Sequence, residues 1–171
     1  SGLLVHDIIR ACAGLVKEGV STWDLEVVAE KMMQDAGAIS AFKGYYVPTA
    51  GSKYPAVLCT SVNEEIVHGI PSRKRVLKSG DVVTIDTGVQ LDGYFADSAL
   101  TVAVGEVTPE VAKLLRVTNE ALELGIAQAT PGNRLFDISA AIEKHIHGNG
   151  FAIVREYVGH GIGTRLHEDP Q

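Results

Sequence analysis

The spacing of apolar and polar positions divides the chain into helical and extended stretches. In residues 2–17, Leu4, Ile8, Cys12, Leu15 and Val16 recur at helical spacing, and Gly19 ends that helix. Ser21 followed by Asp24 predicts a capping box opening a second helix. Its stripe is Leu25, Val28, Ala29, Met32, Met33 and Ala36, with Gly37 as the stop. Residues 44–55, which carry Gly44, Pro48, Gly51 and Pro55, read as a loop, and residues 57–62 as a short strand. Thr108 and Pro109 predict the N-cap and first residue of a third helix, with Val111, Leu114, Leu115, Thr118 and Leu122 on its inner face. Pro131, Gly132 and Asn133 break it. A fourth helix carries Ile138, Ala141, Ile142 and Ile146, and a strand is expected from about Phe151.

The stretch 81–104 organises the rest. Two β-rich runs flank Asp92-Gly93, a strong signal for a type I′ hairpin. With that turn, Leu91 faces Tyr94, Asp86 faces Ala99 and Gly88 faces Asp97. Val83, Ile85, Val89, Leu91, Leu100 and Val102 then form one apolar face. Thr84, Asp86, Gln90, Asp97 and Thr101 fall on the other, and a slip of one residue would separate the two aspartates. In this register Asp86 and Asp97 are diagonal neighbours with Cβ atoms roughly 7–8 Å apart. That spacing allows both to reach a pair of metal ions about 3.5–4 Å apart. It also suits two solvent-facing residues of an ordinary antiparallel hairpin.

The chain repeats itself at an offset of 113 residues. Gly19 falls on Gly132, Trp23 on Phe136, Asp24 on Asp137, Glu30-Lys31 on Glu143-Lys144, and Gly37 on Gly150. This predicts a duplicated helix–helix–sheet unit: residues 1–107 as a first half-repeat and 108–171 as an incomplete second within one domain. A counterpart of the hairpin would fall near 194–217, so the expectation is a fragment, or a chain completed by another segment, with an unpaired sheet edge.

Composition narrows the class. Apolar residues at 46% against 21% charged describe a globular chain, and a net charge of −6 with no basic run argues against nucleic acid as a partner. No stretch is long and apolar enough to span a bilayer, and no signal-peptide pattern opens the chain. Cys12 and Cys59 fit neither a disulfide framework nor a zinc knuckle, so a reduced, cytoplasmic setting is expected. Of six histidines, His6, His145 and His147 read as surface residues. His68 precedes Gly-Ile-Pro, His160 lies between glycines, and His167 stands in Leu166-His167-Glu168-Asp169-Pro170. Glycine flanks suit close approach to a ligand and equally a plain turn. Glu64, Glu65, Glu168 and Asp169 are candidates by type only. Two same-face carboxylates with imidazoles fit divalent ions held by oxygen and nitrogen, and so a hydrolytic site.

The runs Asn63 to Pro71, Ile85-Asp86-Thr87-Gly88, Ala96-Asp97-Ser98-Ala99, Gly159 to Gly163 and His167 to Gln171 resemble type I methionine aminopeptidase along the whole chain. The resemblance implies the pita-bread α/β (α+β) fold, two related halves around a curved antiparallel sheet. It implies a pair of divalent ions, whether Co, Mn, Fe or Zn. Asp86 resembles the bidentate ligand of one ion, Asp97 the carboxylate bridging both, and His160 the histidine ligand of the other. His68 resembles the residue that contacts the scissile amide, and His167 the one that steadies the tetrahedral intermediate. Cys59, Tyr54 and Leu166 match positions lining the methionine pocket, with Leu166 where an aromatic is common. The family's two further glutamates fall beyond His167 and outside these 171 residues, and Ser1 starts inside the first helix. The 171 residues alone are therefore expected to be nearly inactive.

The function so implied is removal of the initiator methionine from nascent polypeptides whose second residue is small. The ribosome is a candidate partner, no nucleic acid or membrane is expected, and the complete enzyme should be a monomer. Two rival readings are a proline-directed peptidase of the same fold and a non-catalytic pita-bread binding protein.

Overall fold

A computed structural model describes every residue except 49 and 171, so Gln171, the last residue of the quoted motifs, lies outside the described residues. By packing, the chain divides into two compact units, residues 1–107 with 159–171, and residues 108–158. The half-repeat division drawn from the sequence concerns duplication, and packing groups residues 159–171 differently, with the first unit.

In the first unit, α1 (Gly2–Leu15) and α2 (Thr22–Asp35) precede the strands β1 (Ile39–Ser40), β2 (Tyr46–Val47), β3 (Ser52–Lys53), β4 (Leu58–Val62), β5 (Val82–Leu91) and β6 (Tyr94–Ala103). The capping box forms as the sequence requires. The Asp24 N–H donates to Ser21 Oγ at 3.3 Å, and the Asp24 carboxylate accepts from the Ser21 N–H at 2.8 Å. β5 is the central strand, pairing antiparallel with β6 along its whole length on one edge. On its other edge it pairs with β4 and, nearer the turn, with β1. Two features of residues 39–55 were not legible. β1 is a two-residue strand, and the expected loop contains the small β2–β3 hairpin, Tyr46 opposite Lys53.

The sheet has two chemically distinct faces. Val83, Ile85, Thr87 and Val89 point to one side of β5 and are buried with Leu58 and Val62 against Val5, Ile8, Ile9 and Cys12 of α1 and Leu25, Ala29 and Met33 of α2. Leu15, expected inside, is 40% exposed; Val5 and Ile9 take the inner positions instead. One carboxylate enters this core. Glu26 of α2, 2% exposed, accepts the N–H groups of Val57 (2.8 Å) and Leu58 (2.9 Å). Val57 immediately precedes β4 and Leu58 is its first residue, so Glu26 supplies acceptors for two N–H groups at the start of the strand that would otherwise be orphaned in an apolar layer.

The second unit is an antiparallel helix pair, α3 (Pro109–Gln128) and α4 (Leu135–Gly148). Thr108 caps α3 with proline at its start, as expected. The inner face is not the expected one: Val117, Ala121 and Gly125 are buried, whereas Leu114 and Leu122 are 42% and 55% exposed. The small residues decide this. A Cβ on Gly125 would stand 2.9 Å from Ile142 Cδ1, so close approach of the helices fixes which face turns inward. The repeat offset carries Thr22–Asp35 onto Leu135–Gly148, the bounds of α4. It also pairs the left-handed glycines Gly19 (φ 87°) with Gly132 (98°) and Gly37 (65°) with Gly150 (85°). The strand expected from Phe151 does not form: residues 151–158 carry no ladder pairing, because no described strand lies beside them. His145, expected at the surface, is half-buried and bonded to Glu120 at 2.9 Å.

Candidate active site

The Asp92-Gly93 turn sets the site. Both residues have positive φ, 54° and 82°, as a type I′ turn demands. The register is the expected one: Leu91 opposite Tyr94, Asp86 opposite Ala99, Gly88 opposite Asp97. Asp86 and Asp97 therefore share the face turned away from the apolar helices. Cys59 joins the same row, since β4 places it opposite Asp86. Gly88 has its own reason to lack a side chain. A Cβ there would come 2.9 Å from Phe42 Cε1 and 3.0 Å from Ala41 Cβ, so the Phe42 ring lies over the strand beside Asp97.

The two carboxylates interact directly. Burial pushes the Asp86 carboxyl up to about 7, and the negative charge of Asp97 and a hydrogen bond between the two add to that. Asp97 is more open to solvent; it too is raised by desolvation, while the bond from Asp86 and the charges of His160 and His167 pull it back. Burial and the neighbouring like charge thus both favour the protonated form of Asp86.

Loop 159–170 brings the histidines to this face. The Phe95 N–H on β6 donates to the Gly163 carbonyl at 2.7 Å. Gly161 and Glu168 exchange both backbone bonds at 2.8 Å, closing the loop on itself. The Glu168 carboxylate accepts from Thr164 Oγ1 (2.9 Å) and the Arg165 N–H (2.8 Å), and Glu65 accepts the Val62 N–H at 2.8 Å, so both glutamates serve backbone turns. The His160 and His167 rings are 4.4 Å apart, edge to face, and Tyr45 approaches His167 edge-on at 6.1 Å. His160 Nδ1 lies 2.9 Å from the Gly161 carbonyl. With a proton on Nδ1 donated there, Nε2 keeps a lone pair for a ligand.

Cys59 and Tyr54 form a second cluster. Burial pushes the Cys59 thiol up to about 12, so it stays neutral, and the Tyr54 phenol is raised for the same reason. Neither cysteine is in a disulfide. Leu166 is half-buried in loop 159–170, and His68 is exposed on the segment beside β4. The structure brings together Asp86 with Asp97, His160 with His167, and Cys59 with Tyr54. Among the described residues it closes no group of three or more His, Cys, Asp or Glu into metal-holding geometry. The chemistry of the donors nevertheless fits a divalent cation, since two adjoining carboxylates and an imidazole whose Nε2 can act as a donor are oxygen and nitrogen ligands of the kind such ions take. Phe42, Tyr45 and Ser61 were not singled out from the sequence. A glycine inside a β-branched strand was the available signal for Phe42.

All 171 residues match the pattern of metallopeptidase family M24. A methionine aminopeptidase of Clostridium acetobutylicum is 44% identical over 171 residues, 100% of this chain and 66% of that protein. The crystal structure of a methionine aminopeptidase from Thermotoga maritima gives a TM-score of 0.92 at 40% identity, covering 98% of this chain and 65% of that one. The chain thus spans just under two thirds of the length of these relatives. A prolidase from Pyrococcus furiosus, with a TM-score of 0.82 at 23% identity over 98% of this chain and 47% of its own, shares the fold. The fold is the expected pita-bread α/β arrangement.

Proposed function

The chain belongs to metallopeptidase family M24, and from that membership we propose that it carries the catalytic face of a methionine aminopeptidase, removing an N-terminal methionine from nascent chains with a small second residue. The observation carrying this reading is the Asp86–Asp97 pair, two carboxylates in contact on the open face of a hairpin, with His160 and His167 within range of their charge. Asp86, Asp97 and His160 are the residues that would hold the metal. We read the site as one for two divalent ions, of which Co, Mn, Fe and Zn all suit oxygen and nitrogen donors. When bound, such ions polarise a carbonyl and lower the pKa of water.

The chain's own residues do the rest. His167 donates a hydrogen bond to the peptide carbonyl oxygen as negative charge develops on it, a role worth about 10²–10³ in kcat in comparable sites. His68 orients the scissile amide. The neutral Cys59 thiol, the Tyr54 ring and Leu166 give the methionine side chain an apolar, polarisable seat. On this reading the chain forms a single catalytic domain built from two half-repeats. It works as a cytoplasmic monomer, meeting its substrate at the ribosome and needing neither nucleic acid nor membrane. No helix among the described residues is long and apolar enough to cross a membrane.

The test is release of methionine from Met-Ala-Ser with added Mn²⁺ or Co²⁺. It is run on the 171 residues and on the same chain extended by the remaining length of the Thermotoga relative. Methionine released by either form, and lost on Asp97→Asn, supports the proposal. Cleavage confined to Xaa-Pro peptides favours the proline-directed reading, and no cleavage by either form contradicts both.

A further inference from the structure

His68 has a backbone φ of 62°, in the left-handed region. A non-glycine residue in that region is strained and persists where its surroundings hold it. The next residue is tied closely to β4. The Gly69 carbonyl accepts the Thr60 N–H at 2.8 Å and the Tyr54 hydroxyl at 2.9 Å, and the Gly69 N–H donates to Ser61 Oγ at 3.1 Å. Gly69 lies so close to β4 that a Cβ would overlap the Thr60 carbonyl oxygen and come 2.8 Å from Ser61 Cα. The Ser61 side chain is only 3% exposed, so its hydroxyl serves this contact and not solvent. Tyr54 Oη is also 2.9 Å from the Leu58 carbonyl, and its single proton is shared between that oxygen and the Gly69 carbonyl.

These ties have a direction. β4 pairs by its other edge with β5, the strand that carries Asp86. We propose that Tyr54 and Ser61 are positioning residues, fastening the His68 segment to the free edge of β4 and so fixing His68 relative to the two carboxylates. Tyr54 thereby joins two parts of the substrate site, the Cys59 cluster and His68. The proposal rests on the reading that His68 acts on the substrate amide. A turn that merely rounds off the strand would give the same hydrogen bonds without affecting turnover.

The two cases separate with Tyr54→Phe, which removes one oxygen, and Ser61→Ala, which removes the Gly69 acceptor. Three readouts are taken on the chain of the activity assay: amide exchange of Gly69, the His68 Cε1–Hε1 resonance (assigned by its loss in His68→Gln), and kcat and KM on Met-Ala-Ser. Each variant is expected to exchange the Gly69 amide about 5–10-fold faster, as loss of one hydrogen bond implies. The His68 resonance should shift or broaden, and kcat should fall about tenfold or more with KM within twofold. Parent-like exchange and an unmoved His68 resonance in both variants would overturn the tie. A moved resonance with kcat unchanged would overturn the positioning role. If the parent is inactive, the activity reading fails separately, and exchange with the His68 resonance alone decides whether the tie exists.

Discussion

The Asp86–Asp97 pair shows how a residue-scale conflict marks a site. Two carboxylates placed together on one face cost stability unless something neutralises them, and burial with like-charge repulsion favours the protonated form of Asp86. The Asp86 pKa is raised, from the ordinary 3.8 to about 7. Its contribution to stability is therefore fully present below the unfolded value and is lost as pH rises towards about 7. Metal-stripped protein should melt at progressively lower temperature between pH 4 and pH 7, and a divalent ion should reverse the loss. Asp86→Asn should flatten that pH dependence while weakening metal binding, both measurable by thermal melts with and without Mn²⁺. A melting temperature that rises with pH across this window would contradict the raised Asp86 pKa. Which aspartates would meet was legible, because Asp92-Gly93 specifies the register and alternation does the rest. That Ser61 and Gly69 would hold the His68 segment was not, since nothing in Val57 to Pro71 says which side chains turn towards a strand edge.

At the scale of elements, the sequence was most informative where a single residue dictates geometry. Ser21 with Asp24, Thr108 with Pro109, and Asp92 with Gly93 each form the predicted cap or turn. It was least informative where packing between elements decides. The inward face of α3 follows Ala121 and Gly125, which allow close approach, and not the larger Leu114 and Leu122. β1 is two residues long and has no periodicity of its own; it exists because β5 offers an edge. Two substitutions test the junctions. Glu26→Ala would leave the Val57 and Leu58 N–H groups without an acceptor in the core and should cost about 2–4 kcal/mol in urea unfolding. A loss below 0.5 kcal/mol would mean that water or another group replaces it. Gly88→Ala would push against Phe42 and Ala41 and should cost about 1–3 kcal/mol by the same measurement. A neutral outcome would show that Phe42 swings away freely.

At the scale of the whole molecule, the offset of 113 read from the sequence carries the bounds of α2 onto those of α4 and left-handed glycines onto left-handed glycines, even where side chains diverge. The grouping of residues 159–171 with the first unit was not readable, because it depends on contacts such as the Phe95 N–H to Gly163 bond, which no local pattern encodes. That grouping brings His160 to the aspartates, and the whole account turns on whether those three residues hold metal. The direct measurement is Mn²⁺ binding at pH 7.5, followed by electron paramagnetic resonance, for the parent chain, Asp97→Asn and His160→Ala. The account predicts saturable binding by the parent and at least about a tenfold loss of affinity in each variant. Binding that survives both substitutions unchanged, or none by the parent up to millimolar metal, would contradict it.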